Sequence, residues 1–311
     1  MHSPNLFKRP AALLLVATAL LVACSTTPPQ PSLPNTPTAK AEPPTVVLAP
    51  KIPPKIGLAL GGGAARGFAH VGVIAALEEA GFKPDFVVGT SAGSLVAALY
   101  ASGKTPAQLQ QIAMEMEEAT LTDWSLPIFG RGVLKGEALG NYVNTQIRHK
   151  LIESMAIPLG IVATDLRTGQ GVMFQRGDTG AAVRASSAVP SVFAPVKIGA
   201  AEYVDGGLVS PVPVKFARQM GAQLVIAVDI SSAPEGNAAD SQLQILLQTF
   251  AIMGKSINTW ELREADLVVR PSLVGVKSAD FASKRRSMDA GRAAMQAAIP
   301  ALRVAVERLS R

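Results

Sequence analysis

Short apolar runs that end at glycine residues alternate with helix-like segments from Lys55 onward. Ile56–Leu60 is one such run, and 224–230 is the most apolar of them. The helix-like segment 68–77 follows the first run, and Gly81 closes it in the manner of a helix end. Strands that alternate with helices along a chain favour an α/β layer fold with a largely parallel sheet. The sequence therefore predicts this α/β fold class from Lys55 onward.

The same patterns predict the other elements of this region. A short strand is expected at 85–89, and helices at 94–100 and 214–220 that end at Gly103 and Gly221. A hairpin is expected from 157–163 and 171–175 around Arg167-Thr168-Gly169, and a further strand at 267–269. The Ala-rich stretch 289–311 favours a C-terminal helix, which we expect Pro300 to break.

The N-terminus has the pattern of a targeting segment. Lys8 and Arg9 precede residues 11–23, which are small and apolar apart from one Thr. This run fits the apolar region of a signal peptide, whereas a membrane-spanning helix needs about 20 residues. It ends in Leu21-Val22-Ala23-Cys24, which resembles a bacterial lipobox. We therefore expect residues 1–23 to be a lipoprotein signal peptide and Cys24 to be lipidated; an ordinary secretory signal with a chance cysteine is the alternative.

The segment after Cys24 links this expected anchor to the domain. Residues 25–54 are rich in Pro, Thr and Ser, and they have too few large apolar side chains to build a core. We expect 24–54 to be a disordered tether that follows the lipidated cysteine, and 55–311 to be the folded domain with a C-terminal helical extension. Ser25 stands where the lipoprotein resemblance would place Asp for inner-membrane retention. This favours a protein anchored in the outer membrane and facing the periplasm.

The charge of the chain gives no indication of a nucleic-acid partner. The formal net charge is +6, and removal of 1–23 takes away Lys8 and Arg9 but no acid, which leaves +4. The basic residues are scattered, and the tight run Lys284-Arg285-Arg286 fits a solvated face. Cys24 is the only cysteine, so an intramolecular disulfide is impossible.

A glycine-rich loop lies between the first predicted strand and helix, and its sequence is Gly61-Gly62-Gly63-Ala64-Ala65-Arg66-Gly67. Such a loop turns backbone N–H groups toward one point, where they can bind a phosphate or the oxyanion of an acyl-transfer intermediate. A phosphate-binding P-loop requires Lys followed by Ser or Thr, and these are absent. A dinucleotide-binding loop would require glycine where Arg66 stands. Tight strand–helix packing without any ligand is the remaining alternative.

A second motif, Gly89-Thr90-Ser91-Ala92-Gly93, follows the strand predicted at 85–89 and opens the next helix. A G-x-S-x-G sequence between a strand and a helix is typical of a nucleophile elbow, which exposes its serine hydroxyl above the sheet edge. The motif therefore favours Ser91 as a nucleophile. A strand-to-helix turn with Ser91 as a helix cap is the alternative.

A serine nucleophile needs a base, and Asp205-Gly206-Gly207 contains the candidate. The chain has only three histidines, and His2 leaves with the signal peptide. In the α/β-hydrolase order the histidine comes last, and only His149 follows Ser91, between basic neighbours that indicate an exposed helix face. A Ser-His-Asp triad is therefore disfavoured, and a carboxylate that acts directly on Ser91 is left. Taken by itself, Asp205 could equally be a β-turn residue.

Together these segments resemble the patatin-like phospholipases, in particular the bacterial branch that is similar to the catalytic part of neuropathy target esterase. The resemblance runs from about residue 55 to 286 and rests on four stretches: 57–67, 89–93, Ala-Ser-Ser-Ala-Val-Pro-Ser-Val-Phe at 185–193, and 205–207. It implies a central, mostly parallel sheet sandwiched by helices. The implied activities are phospholipase A, lysophospholipase and carboxylesterase, on lipid or ester substrates, with no metal and no cofactor.

The resemblance also implies a role for each site residue. Ser91 is the expected nucleophile and Asp205 the general base. The expected oxyanion hole and the remaining motif positions are Gly62, Gly63, Ala64 and Arg66, with Gly61, Gly67, Gly89, Gly93, Gly206 and Gly207. The chain departs from the family pattern at Ala64, where a third glycine is expected, and a positive φ there would cost alanine about 1–2 kcal/mol. Gly61 replaces the acidic residue of the plant members.

Two further hypotheses concern the surroundings of this site. Segment 121–134 places Trp124, Leu126, Ile128 and Phe129 among Pro and Gly, so it is either a mobile apolar flap that admits acyl chains or touches lipid, or an ordinary packed loop. The alternative to an enzyme is a non-catalytic envelope lipoprotein that binds lipid or a partner.

Overall fold

The computed structural model describes residues 51–121, 123, 132–234, 240–277 and 280–311. The predictions for 1–23, for Cys24 and for the tether up to residue 50 therefore lie outside the described residues. The strands are β1 Ile56–Leu60, β2 Phe86–Thr90, β3 Gly132–Leu134, β4 Leu159–Asp165, β5 Gly171–Phe174, β6 Ser191–Phe193, β7 Val196–Ile198, β8 Ala201–Asp205, β9 Leu224–Val228 and β10 Leu267–Val269. The α-helices are α1 Phe68–Glu79, α2 Ala92–Ala101, α3 Pro106–Glu115, α4 Glu118–Leu121, α5 Glu137–Gln146, α6 Thr179–Ser186, α7 Val214–Gln219, α8 Gln242–Glu261 and α9 Lys284–Leu309.

The central sheet has the strand order β10-β9-β1-β2-β4-β8-β7, and β5 pairs with β4. The five strands from β10 to β4 are parallel, and the pairings of β4 with β5 and β8 and of β7 with β8 are antiparallel. A separate two-stranded sheet pairs β3 with β6. The prediction of a central, mostly parallel sheet flanked by helices is confirmed.

Both faces of this sheet are buried, as a parallel sheet requires. Alternate residues of a strand point to opposite faces. Leu58 and Leu60 of β1 therefore join the core formed with α1, α2 and α9, whereas Ala59 between them packs with Val214 and Phe216 of the α7 side. Strands buried on both faces explain the continuous apolar runs at β1 and β9.

The C-terminal helix corrects one prediction. Helix α9 continues through Pro300 to Leu309, so the expected break is wrong. Proline removes one backbone hydrogen bond, but the helix is fixed on both sides of it by Met295 and Leu302, which are fully buried in the main core. The packing of that apolar face outweighs the local cost of proline. Helix α9 therefore belongs to the core of the domain.

Other predictions are confirmed with small shifts at element ends. The hairpin forms between β4 and β5, and Gly169 adopts a left-handed φ of 71° in its turn. The helix expected from residue 94 begins at Ala92, directly after Ser91. Among the described residues, no helix is both long and apolar enough to cross a membrane.

Candidate active site

Ser91 occupies the sharp turn between β2 and α2. Its backbone has φ 53° and ψ −124°, outside the regions that non-glycine residues ordinarily adopt. Such a conformation costs about 1–3 kcal/mol and persists only where the surroundings fix it. Gly93 permits the turn, because a Cβ there would lie 2.1 Å from the Leu60 carbonyl oxygen. The strand–turn–helix arrangement is that of a nucleophile elbow.

The carboxylate of Asp205 lies next to this serine. The Ser91 hydroxyl donates a hydrogen bond to Asp205 Oδ2 at 2.8 Å. Asp205 is the last residue of β8, and β8 pairs with β4, the neighbour of β2. The sheet order thus brings together two residues that are 114 positions apart. The alternative in which Asp205 is only a turn residue does not account for this contact.

Burial changes the acidity of Asp205. The residue is 5% exposed, and desolvation raises its pKa from 3.8 to about 6. Two hydrogen bonds oppose this rise, from the Gly207 N–H to Oδ1 at 2.7 Å and from the Ser91 hydroxyl to Oδ2. A carboxylate with a pKa near 6 is a stronger base than an exposed aspartate and is still ionised at neutral pH.

We expect ester hydrolysis to depend on the ionisation of Asp205. Because a general base must be unprotonated, kcat/KM should fall about tenfold for each pH unit below a midpoint near 6, and it should be level above it. The measurement is kcat/KM on a soluble ester from pH 4.5 to 8.5. Recovery of activity on return to pH 8 controls for unfolding, and a profile that stays level down to pH 4.5 would contradict the assignment.

The histidines of the domain are placed elsewhere. His70 is fully buried in α1, and its Nε2 donates to the Gly61 carbonyl oxygen at 2.8 Å. Burial lowers the pKa of His70 to about 4, so the ring is neutral and holds the glycine loop. His149 is exposed, as predicted, but it lies in the turn after α5 with φ 55° and not on a helix face. Neither ring takes the place of a triad histidine.

The glycine loop leads from β1 into a 3₁₀ turn at Ala64–Gly67. Two of its N–H groups are occupied, since Gly61 donates to the Val228 carbonyl at 3.0 Å and Gly62 to the Pro211 carbonyl at 2.9 Å. Gly62 therefore lacks a free donor, in contrast to its expected role in the oxyanion hole. It instead allows close approach, because a Cβ at Gly62 would lie 3.1 Å from Ser91 Cβ.

In the part of the chain that the structure describes, the N–H groups without a backbone partner lie one residue further along the loop. The N–H groups of Gly63 and Ala64 precede the first hydrogen bond of the 3₁₀ turn, in which the Arg66 N–H donates to the Gly63 carbonyl, and they accordingly have no partner within the turn. Ala64 has φ 50°, so this position does adopt the left-handed conformation that the family glycine would favour. The loop offers an anion the amides of Gly63 and Ala64.

Arg66 braces this loop. The side chain is 9% exposed and its guanidinium donates to Ser232 Oγ, close to the Asp229 carboxylate. Burial lowers the pKa of Arg66 and the negative charge of Asp229 raises it. These contacts connect the loop to the segment after β9. Arg66 therefore fixes the loop to this segment, and its contact with an oxyanion, which the family resemblance implies, stays a prediction.

The other motif glycines are positions of close backbone approach. A Cβ at each would meet another atom at less than 3.0 Å, so a side chain there would force a shift of backbone or core. These glycines are Gly61, Gly67, Gly89 and Gly206. Gly207 differs, because it supplies the N–H that binds Asp205.

An apolar cavity opens beside Ser91. Its volume of about 310 Å³ lies within the range of ligand pockets. Glu118 is the only charged residue among its described lining residues. The apolar lining comes mainly from three helices: Phe68 and Val71 of α1, Ala92, Leu95, Val96 and Leu99 of α2, and Leu109, Ile112 and Ala113 of α3.

Helix α3 was missed by the sequence analysis, although a signal was present. Thr105 and Gln108 form a capping box around Pro106, which is a typical helix start. The apolar residues of α3 are few and separated by polar ones, so the helix contains no continuous apolar run that would predict it. Of the proposed flap segment 121–134, Leu121 and Leu134 line the cavity, and so does Phe193 of β6, the strand that pairs with β3. Trp124, Leu126, Ile128 and Phe129 lie outside the described residues.

Comparison with known proteins identifies a family that this chain matches. The family model of the patatin-like phospholipases matches residues 58–218, which is more than half of the chain and includes both Ser91 and Asp205. The chain belongs to the patatin-like phospholipase family. This confirms the resemblance inferred from its motifs.

Relatives from distant organisms support the same branch. An uncharacterized NTE family protein of Mycobacterium tuberculosis is 35% identical over 204 residues, which is 65% of this chain and 56% of the relative. Patatin-like phospholipase domain-containing protein 6 of Homo sapiens is 33% identical over 232 residues, which is 72% of this chain and 16% of that protein. The chain thus spans about half or less of the length of these relatives.

The fold has a counterpart among solved structures. The crystal structure of VipD from Legionella pneumophila superimposes with a TM-score of 0.55 at 14% sequence identity, over 78% of this chain and 66% of VipD. At this identity the likeness concerns the fold alone.

Proposed function

We propose that the protein is a serine hydrolase that cleaves acyl esters of phospholipids or lysophospholipids through a Ser91–Asp205 dyad and an acyl-enzyme. The observation that carries this proposal is the 2.8 Å hydrogen bond from the Ser91 hydroxyl to a buried carboxylate, at a strained elbow beside an apolar cavity. Family membership supports the reaction class, and the dyad, the acyl-enzyme and the substrate are our inference.

In the first half-reaction Asp205 accepts the Ser91 proton while Ser91 Oγ attacks the ester carbonyl carbon. The carbonyl electron pair moves to oxygen, and the N–H groups of Gly63 and Ala64 stabilise the resulting oxyanion. The tetrahedral intermediate then collapses. The bond to the alcohol breaks, and the proton held by Asp205 passes to the leaving oxygen, which leaves Ser91 acylated.

Water completes the cycle through the same groups. Asp205 removes a proton from a water molecule while the water oxygen attacks the acyl carbon. The second oxyanion that forms is bound by the same loop. Its collapse breaks the bond to Ser91 Oγ, which takes the proton back from Asp205. The products are a fatty acid and the free enzyme. Proton transfer through one carboxylate suits a site in which no histidine contacts Ser91 or Asp205 among the described residues.

The experiment that tests the proposal combines labelling with product analysis. A fluorophosphonate should modify Ser91 in the intact protein, and a lipid panel with mass-spectrometric identification should yield free fatty acid. Absence of both label and product from a folded protein would favour the alternative of a non-catalytic lipid-binding lipoprotein.

We propose that the cavity holds the acyl chain and limits its length. It follows α2 from Ser91 to Leu99, eight residues that advance about 12 Å at about 1.5 Å per residue. Leu99 and Leu109 are almost fully buried, so this end is blind. An extended chain advances about 3.3–3.6 Å per three bonds, so the cavity accommodates an acyl chain of roughly ten carbons.

We expect kcat/KM on p-nitrophenyl esters to rise with chain length up to about C10, by about fourfold for each buried CH₂, and then to level off. Leu99→Ala should move this limit to longer chains because it enlarges the blind end. Leu77→Ala is the matched control, because Leu77 is a fully buried leucine that does not line the cavity. A limit that is the same in both variants would contradict the assignment.

We further propose that Cys24 carries the lipid anchor and that the protein faces the periplasm from the outer membrane. This rests on the lipobox-like sequence 21–24 and on Ser25 after it. The proposed lipid anchor is attached at Cys24, so loss of this residue removes the anchor and should release the protein. Cys24→Ala should move it from the detergent phase to the aqueous phase, whereas Ser25→Ala should not. Unchanged partition of Cys24→Ala would exclude this anchor.

A further inference from the structure

Segment 186–188, at the C-terminal end of α6, contacts both members of the dyad. Ser186 Oγ accepts a hydrogen bond from the Ser91 backbone N–H at 2.9 Å. The Ala188 carbonyl accepts one from the Asp205 backbone N–H, also at 2.9 Å. Nucleophile and base, far apart along the chain, are therefore held by residues only two positions apart.

The hydroxyl of Ser186 has a defined orientation. Its side chain is fully buried, and it donates its proton to the Val162 carbonyl oxygen at 2.5 Å. A serine hydroxyl has one proton, so this donation leaves its lone pairs to receive the Ser91 N–H. Val162 lies on β4, the strand between β2 and β8. The chain of bonds from Ser91 through Ser186 to Val162 fixes the elbow to the strand that also pairs with β8.

Ser91 needs such support because its backbone conformation is strained. Rotation of the elbow toward a relaxed conformation would swing Ser91 Oγ away from Asp205 Oδ2. The hydrogen bond from the Ser91 N–H opposes that rotation. The motif at 185–193 therefore contributes to the reaction through the position of Ser91, although Ser186 does not contact the Asp205 carboxylate.

We propose that Ser186 is a positioning residue for ester hydrolysis, acting through the backbone of Ser91 to keep its hydroxyl on Asp205. This inference rests on the proposed dyad mechanism. It predicts a defect in the chemical step alone, because Ser186 touches neither the apolar cavity nor the Asp205 carboxylate. Ser187, the next residue, lines the cavity.

The test is Ser186→Ala in the full chain. Misplacement of a reacting group by about 1 Å can cost roughly 100-fold, so we expect kcat to fall roughly 10- to 100-fold with KM changed less than about twofold. The rate of fluorophosphonate labelling should fall by the same factor, and the pH midpoint of kcat/KM should stay where it is in the wild type.

Thr179→Val is the matched control. Thr179 begins the same helix, is fully buried, and donates its hydroxyl to the Lys150 carbonyl at 2.7 Å. Its replacement removes a comparable hydrogen bond away from the dyad, so it should lower Tm and leave kcat unchanged. A Ser186→Ala variant with wild-type kcat, or with no greater kcat loss than Thr179→Val, would overturn the proposal.

A second variant at residue 186 covers the case in which alanine prevents folding. If Ser186→Ala does not fold, Ser186→Cys replaces it, because a thiol is similar in size and only a weak acceptor. Full kcat in Ser186→Cys would also overturn the proposal, and a lower kcat at unchanged KM would support it. A wild-type protein without hydrolase activity would instead overturn the proposed function. Activity that needs Ser91 but not Ser186 would overturn only the positioning role.

Discussion

Replacement of Ser91 by alanine is expected to lower kcat for ester hydrolysis by at least about 10⁴-fold, because no other group replaces the nucleophile. The fold should be retained. The backbone N–H of residue 91 still reaches Ser186, and the alanine Cβ occupies the space of the serine Cβ. The measurement is single-turnover hydrolysis of a p-nitrophenyl ester, with circular dichroism to establish folding.

The matched control for this variant is Ser287→Ala. Ser287 is a fully buried serine in α9 whose hydroxyl has no hydrogen-bond partner among the described residues. Its loss should leave both kcat and fluorophosphonate labelling at wild-type levels, whereas Ser91→Ala should lose both. A folded Ser91→Ala protein that hydrolyses the ester at more than about a hundredth of the wild-type rate would require another nucleophile.

The parallel part of the fold was predictable because its strands are buried on both faces. Such strands appear as unbroken apolar runs, and β1 and β9 were recognised from them. Strands β6 and β7 were missed, because each has only three residues and at most one of them is buried. Helix α8 was missed as well. Its apolar stretches, 245–247 and 250–253, are short and are separated by polar residues.

Within the site, residue identity was predictable but atomic function was not. Ser91 and Asp205 could be predicted as a pair, because a serine nucleophile needs a base and no histidine was suitably placed. The sequence could not show that the Gly62 N–H is used by Pro211, because that hydrogen bond depends on a loop about 150 residues away. The same holds for the path of Arg66 to Ser232 and for the bond between Ser91 and Ser186.

Both residues of the dyad carry features that are unfavourable for the free energy of folding. Ser91 has a strained backbone, and Asp205 is a buried carboxylate whose raised pKa shows that its charged form is disfavoured there. Neither feature benefits the folded state by itself. Residues selected for chemistry are commonly less than optimal for stability, so an inactive variant of such a site can be more stable than the wild type.

Asp205→Asn should therefore combine loss of activity with a gain in stability. The amide is nearly isosteric and can still accept the Gly207 N–H, but it cannot take the Ser91 proton. We expect kcat to fall by at least about 10³-fold at every pH from 5 to 9. A variant that kept the activity and pH profile of the wild type would exclude Asp205 as the base.

The stability gain of Asp205→Asn should itself depend on pH. The folded pKa of about 6 lies above the unfolded value of 3.8, so the folded protein binds the proton more tightly. Wild-type stability then falls as pH rises from about 4 to 6, by about 3 kcal/mol at most, and stays lower above that range. The asparagine variant lacks this ionisation, so its Tm should exceed that of the wild type by several degrees at pH 8 and by little at pH 4. Equal Tm differences at the two pH values would show that the Asp205 carboxylate is not destabilised by burial, and the raised pKa on which its strength as a base depends would then be wrong.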